Sequence, residues 1–407
     1  MIRLGVWLTL FDGSQVPVGE LVTSAPQENG ALHGQFRYDI NYLNSPHSFS
    51  LDPFHLPLCN DIFDANRPFA GVHGVFEDSL PDDWGRRLLI RRYKLPRQKQ
   101  RVPNLLQARG SDGLGALSFA VNAPPPKQSE VPAHKLEKLL QLSEEFEKDP
   151  STVDDDLTLL FEAGSSPGGA RPKVVVNYKG KSWLAKLPSI RDQFDVIGLE
   201  TGAMRLSSLA NIDTAHTELI ACGPKRVLLI ERFDITPTGG RRHMVSMQTL
   251  TGADGYYHLG YRDMAEIIRR ISAQPGNDLE RLFRQMVFNA LIGNTDDHLK
   301  NFCMLYGEHG WSLSPAFDLL PNIGLNHEHQ LHIAGGFRPP NRNSLIQEAK
   351  SFGIKRQQRA EKIINEVVDV VSTWKVVFQQ IHIPDADIKI LGKDISNRLT
   401  SAGFGGE

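Results

Sequence analysis

The stretch NALIGNTDDHLKNF, Asn289 to Phe302, gathers two adjacent carboxylates, an imidazole, an ammonium group and a carboxamide directly behind an apolar run. Asp296 precedes Asn301 by five positions, giving D-x-x-x-x-N. In phosphoryl transfer a carboxylate at the first position accepts the proton of an attacking hydroxyl, and a carboxamide at the second binds magnesium. Asp297 is a second candidate base, one residue nearer to Asn301. His298 could orient the loop or a phosphate, or be structural. Lys300 could approach a transferred phosphoryl group or face water. A second metal carboxylate should follow, and Asp318 in LSPAFDLLPN is the candidate. An aspartate among apolar residues needs a partner, which a phosphate-bound magnesium ion would supply. The alternative for Asp318 is an N-cap or turn ahead of Leu319.

Such chemistry also needs groups that hold phosphates. GSSPGGARPK, Gly164 to Lys173, is rich in small residues and carries Arg171 and Lys173. Small residues let backbone N–H groups approach phosphate oxygens. The stretch matches neither G-x-x-x-x-G-K-[ST] nor G-x-G-x-x-G, so on its own it also reads as a flexible loop. Lys186, in WLAKLP, is a lysine among apolar strand residues, the kind of group that binds α- and β-phosphates. Glu200 is either its ion-pair partner or a surface glutamate. LLIERFD offers the backbone of Glu231, Arg232 and Phe233 to an adenine edge.

The elements that must position these groups are legible from periodicity. Leu279, Leu282, Phe283, Met286, Val287, Ala290 and Leu291 recur at helical spacing. Asn277 or Asp278 can cap that helix and Gly293 can end it. A hairpin is predicted to turn at Lys179-Gly180, followed by a helix over Phe194 to Asn211 and, over Arg226 to Ile235, a buried strand running into a loop. One long helix is predicted from about Gln357 to Ile381. The N-terminus reads as two strands joined at Asp12-Gly13. A helix lies between Pro81 and Pro96, with Arg86, Arg87, Arg91 and Arg92 on a solvated, salt-bridged face or a nucleic-acid face. Another runs from about His134 to Lys148. Asn122 to Glu130, NAPPPKQSE, has linker composition. NHEHQLHI, Asn326 to Ile333, alternates as an extended segment or strand, and its histidines lack the H-E-x-x-H pattern. The chain is therefore expected to be α+β, with a β-rich N-terminal lobe, including a small β module, and an α-helical C-terminal lobe. The expected boundaries are 1–122, 123–235 and 236–407.

Bulk properties narrow the classes. A chain of 407 residues, 40% hydrophobic and 23% charged, has ample core for two or three domains. A formal net charge of −2 argues against a whole-chain grip on nucleic acid. Cys59, Cys222 and Cys303 form no C-x-x-C pair, which argues against a zinc site and for a reducing compartment. No apolar run reaches membrane-spanning length and the N-terminus lacks a signal-peptide pattern, so no membrane partner and a cytoplasmic location are expected.

Small-residue loop, strand lysine, helix glutamate, apolar strand, D-x-x-x-x-N and metal aspartate follow the order of a protein-kinase-like fold. With VGELV, FEDSLPDDWGRRLL, GSDGLGALSF, GGARPK, LAKLP, IERFD, LIGNTDDHLKNF and LSPAFDLLPN, the chain resembles the HipA family of serine/threonine kinases, toxins of bacterial toxin–antitoxin pairs. The resemblance implies Asp296 as catalytic base and Asn301 and Asp318 as ligands of Mg2+. Lys186 and the loop Gly168, Gly169, Ala170, Arg171, Pro172 and Lys173 would hold ATP phosphates. Glu231, Arg232 and Phe233 would form the adenine hinge, with His298, Leu299, Lys300 and Phe317 completing the nucleotide set. It further implies autophosphorylation at Ser166 or the adjacent Ser165, where added negative charge would repel ATP. The implied partners are a helix-turn-helix (HipB-like) antitoxin, DNA only through that antitoxin, and a translation component such as an aminoacyl-tRNA synthetase as target. A small-molecule kinase and a non-catalytic antitoxin-binding co-repressor are the competing readings.

Overall fold

A computed structural model of the chain describes residues 1–67, 69–126, 130–149, 157–163, 171–255, 257–324 and 327–401. The chain divides into two compact units. The first comprises Met1–Ile190, Glu231–Asp254 and Leu305–Glu308, and the second Arg191–Ile230, Gly255–Met304 and His309–Glu407.

The first unit is β-rich. Strands Phe63–Asp64, Gly34–Tyr38, Gln15–Thr23, Ile2–Thr9 and Leu117–Ala120 form an antiparallel sheet in that order. Leu4, Val6 and Leu8 alternate into its core, as a half-buried strand requires. The first turn is fixed by Asp12, whose carboxylate accepts from the Ser14 N–H and hydroxyl. A second hairpin pairs Lys173–Tyr178 with Lys181–Lys186. Its turn residues Lys179 and Gly180 have φ of 53° and 76°, the left-handed pair that a two-residue hairpin loop demands. On helix Asp83–Arg92 the arginines are engaged: Arg86 pairs with Glu77 at 3.4 Å and Arg92 with Asp112 at 3.2 Å. Of the linker stretch, residues 127–129 lie outside the described residues.

The second unit is mainly helical, with helices Val196–Leu209, Tyr261–Ile271, Pro275–Ile292, Gln357–Val371, Trp374–Gln380 and Asp385–Ser401, and it also carries the antiparallel strands Thr217–Cys222 and Lys225–Glu231. Pro275–Ile292 is buried along most of its length. Two sequence expectations are corrected. Neither Asn277 nor Asp278 caps this helix, because Pro275, pre-set for the first helical position, starts it earlier. The Asp278 carboxylate instead accepts from the Ser272 hydroxyl, the Leu313 N–H and Arg281. The long helix predicted to Ile381 is broken at Ser372 and Thr373. Valines lose rotamer freedom in a helix, and the Thr373 hydroxyl bonds the Val370 carbonyl, so helix continuation is disfavoured there. Among the described residues no helix is long and apolar enough to cross a membrane, and none of the three cysteines forms a disulfide.

Candidate active site

The polar loop of the second unit begins where its buried helix stops. Gly293, at φ 77°, bonds back to the Asn289 carbonyl and turns the chain. A Cβ here would also meet the Asp394 carboxylate at 2.8 Å and Arg398 at 3.1 Å. The packed helix thus fixes the origin of the loop that follows.

The two adjacent aspartates separate completely. Asp297 is 0% exposed. Its Oδ2 accepts from the Tyr261 hydroxyl at 2.8 Å and from His329 Nδ1 at 3.1 Å, and its Oδ1 from the Gln330 N–H at 3.0 Å and the Leu331 N–H at 3.4 Å. Tyr261 in turn accepts from Asn289 at 2.9 Å. Burial first, then the Asp297 charge, hold the Tyr261 hydroxyl well above its ordinary range, which keeps it a proton-bearing donor. Arg398 lies 3.1 Å from His329 Nε2. A guanidinium can only donate, so that nitrogen is the acceptor and the ring proton sits on Nδ1, facing Asp297. A carboxylate so enclosed cannot reach a substrate hydroxyl. Asp296 is exposed, and its Oδ1 accepts from the Gln330 side-chain amide at 2.8 Å.

Asn301 is buried, and its amide nitrogen donates to the Asp296 carbonyl at 2.9 Å. That bond leaves the amide oxygen as the atom suited to a cation. Leu299 is buried and donates its N–H to the Tyr257 hydroxyl at 3.3 Å, while Lys300 is exposed. His298 is partly buried, and its Nδ1 is buried without a hydrogen-bond partner among the described residues. Asp318 has φ 57°, a left-handed conformation disfavoured for a residue with a Cβ. No helix begins after it, so it is not an N-cap. The chain holds it from both sides. Ala316 donates to the Asp213 carbonyl at 2.7 Å and accepts from the Ala215 N–H at 3.0 Å. Asn322 donates to the Gly293 carbonyl at 2.8 Å and, by its side chain, to Thr295 at 2.7 Å. The segment carrying Phe317 and Asp318 is therefore tied to the loop carrying Asp296 and Asn301.

In the first unit Lys173 and Lys186, 4% and 7% exposed, are directly paired across the hairpin. Arg171 is partly exposed, and the buried Pro172 accepts from the Leu187 N–H at 3.0 Å. Ser165, Ser166, Gly168, Gly169 and Ala170 lie outside the described residues. Glu231 pairs with Lys181 at 2.6 Å. The Arg232 N–H donates to the Ser182 carbonyl at 3.2 Å, and the Phe233 carbonyl accepts from Arg242 at 2.7 Å. Glu200, on helix Val196–Leu209 of the second unit, is 3% exposed, which removes the surface-glutamate alternative.

Several groups escaped the sequence reading. Tyr261, Asn289 and Arg398 act through the buried network, and Asn322 through the loop tie. His329 and Gln330 come from NHEHQLHI, whose described residues 327–333 make isolated bridges at His332 and Ile333 and no strand, so of the two expected forms the extended segment is the one found. The segment is held instead by His329 N–H to the Phe337 carbonyl at 2.7 Å and by its bonds to Asp297. Its cluster of histidines was the available signal. Among the described residues, no group of three or more His, Cys, Asp or Glu side chains could hold a metal alone. One carboxylate and one carboxamide suit magnesium, which takes its remaining oxygens from phosphates and water. The unpartnered His298 nitrogen and the constrained Asp318 backbone agree with such a site.

The family model of the HipA-like C-terminal domain matches residues 165–374, and that of the HipA N-terminal domain matches residues 13–120. A serine/threonine-protein kinase toxin HipA of Shewanella oneidensis is 24% identical over 332 residues, covering 74% of this chain and 72% of that protein. Two Sinorhizobium fredii proteins with provisional kinase names are 31% and 32% identical over 134 and 159 residues, or 30% and 35% of this chain. The chain spans only 32% and 38% of the length of those two relatives. The solved complex of Shewanella oneidensis HipA, HipB and operator DNA contains a chain of the same fold, with a TM-score of 0.70, 17% identity and coverage of 98% of this chain and 97% of that one.

Proposed function

The chain belongs to the HipA family, and from that premise we propose that it is an ATP- and magnesium-dependent serine/threonine protein kinase, the toxin of a toxin–antitoxin pair. The observation that carries this reading is the division of labour between adjacent carboxylates: Asp297 is consumed by the fold while Asp296 stays exposed, five positions from a buried, oriented Asn301. In the proposed reaction Asp296 receives the proton of the acceptor hydroxyl as its oxygen bonds to the γ-phosphorus and the bond to ADP breaks. Asn301 and Asp318 would hold magnesium, which supplies charge neutralisation to the phosphates when bound. Lys173, Lys186 and His298 would contact phosphate oxygens, with Arg171, Pro172, Leu299, Lys300 and Phe317 around the nucleotide. Glu231 to Phe233 would border the adenine.

A HipB-like helix-turn-helix antitoxin would be the partner, with DNA reached through it, and a translation component such as an aminoacyl-tRNA synthetase the target. The location would be cytoplasmic. Autophosphorylation of Ser165 or Ser166 would switch the enzyme off by placing negative charge in the phosphate loop. The reading is tested by incubating the purified chain with magnesium and γ-labelled ATP, followed by phosphopeptide mapping. Label on either serine supports it. Absence of label together with absence of ATP binding, on protein shown to be unphosphorylated, overturns it.

A further inference from the structure

Three consecutive residues wrap the Asp296-Asp297 pair. His329 and the backbone of Gln330 and Leu331 hold Asp297, while the side chain of the same Gln330 reaches Asp296 Oδ1 at 2.8 Å. The segment is anchored on every side. Arg398 donates to the His327 carbonyl at 3.0 Å, His332 donates to the Leu259 carbonyl at 3.1 Å, and the Tyr261 N–H donates to the His332 carbonyl at 3.2 Å. Gln330 itself is exposed, so its side chain contributes little to the core. A base must be held in one geometry to work.

We infer that Gln330 is a positioning residue for the proposed base, and that its side-chain amide registers Asp296 to the rigid Asp297 network. This rests on the kinase reading given above. Backbone and side chain of one residue thereby couple the carboxylate that builds the loop to the carboxylate that reacts. The bond is neutral-to-charged, so a donor at this position orients Asp296 without adding net charge.

The test uses the full chain with Gln330→Met, which keeps length and loses the donor, and Gln330→Glu, which sets a second carboxylate against Asp296. Both retain the backbone N–H that serves Asp297, and thermal melts should match wild type. Gln330→Met should lower kcat about 10-fold with KM for ATP unchanged, and Gln330→Glu about 100-fold, since like charges drive Asp296 out of position. A purely structural role predicts no such order. Equal kcat in all three proteins overturns the inference. Independently of activity, the side-chain amide signal of Gln330 in 15N-glutamine-labelled protein, identified by its loss in Gln330→Met, should shift in Asp296→Asn. An unshifted signal also overturns it. Inactive wild-type protein with a shifted signal would instead count against the kinase reading and leave the positioning contact standing.

Discussion

Asp234 of the first unit and Asp297 of the second are both buried carboxylates, satisfied in opposite ways. Asp234 faces charge. Arg232 donates to both of its oxygens, at 3.0 and 2.7 Å, Arg241 lies at 3.1 Å and the Gly115 N–H at 2.8 Å. Burial pushes this carboxyl up, but the two guanidinium charges and the hydrogen bonds outweigh it and hold it at about 2. The cluster fastens Gly113 and Gly115, beside the N-terminal sheet, to the stretch from Arg232 to Arg241. Asp297 instead receives a phenol, an imidazole and two backbone N–H groups, and they point it away from solvent beside an exposed neighbour. The first arrangement staples distant segments together. The second fixes the shape of a loop whose next-door carboxylate, the proposed base, stays exposed.

Breaking each side of the comparison should have different signatures. Asp234→Ala leaves Arg232 and Arg241 buried without their counter-charge, and should destabilise the protein by about 3–5 kcal/mol in denaturant titrations. Asp297→Asn keeps the volume but turns one acceptor oxygen into a donor facing the Tyr261 hydroxyl and His329. It should destabilise by about 2–3 kcal/mol, with the proposed phosphoryl transfer lost as well.

Acid titration separates the units further. Burial holds His73 and His243 of the first unit down to about 4. A histidine whose folded pKa lies below its unfolded value contributes stability above the unfolded value, about 6.5, and that contribution is lost as pH falls towards 4. The Asp234 contribution follows the same sign but is lost lower, as pH falls from about 3.9 to about 2. Hydrogen exchange should therefore show the first unit loosening in the window between pH 6.5 and 4, and His243→Gln should flatten that loss. The smallest effect is expected at exposed Arg87, where Arg87→Ala should change stability by no more than about 0.5 kcal/mol. A large loss there would mean that Arg87 itself does more than meet solvent.

Local signals carried much of this into the sequence. A glycine after a periodic apolar run marks the end of helix Pro275–Ile292, and Lys179-Gly180 between β-branched arms marks the hairpin, because both depend on backbone conformation within a few residues. The α+β class follows from the same periodicities. What stayed hidden depends on contacts distant in sequence. Nothing in T-D-D-H says which aspartate turns inward, since that is decided by Tyr261 and His329, one on an earlier helix and one on a later loop. Gln330 carries no motif at all. The helix break at Ser372-Thr373 was missed because apolar spacing continues across it.

The most direct test of the central claim compares Asp296→Asn with Asp297→Asn in the same two assays, transfer from γ-labelled ATP and thermal unfolding. Asp296→Asn should melt with the wild type and lose transfer by about 10³-fold or more. Asp297→Asn should melt at a lower temperature. An active Asp296→Asn protein, or an Asp297→Asn protein that is active and as stable as wild type, would contradict the division of roles between the two carboxylates.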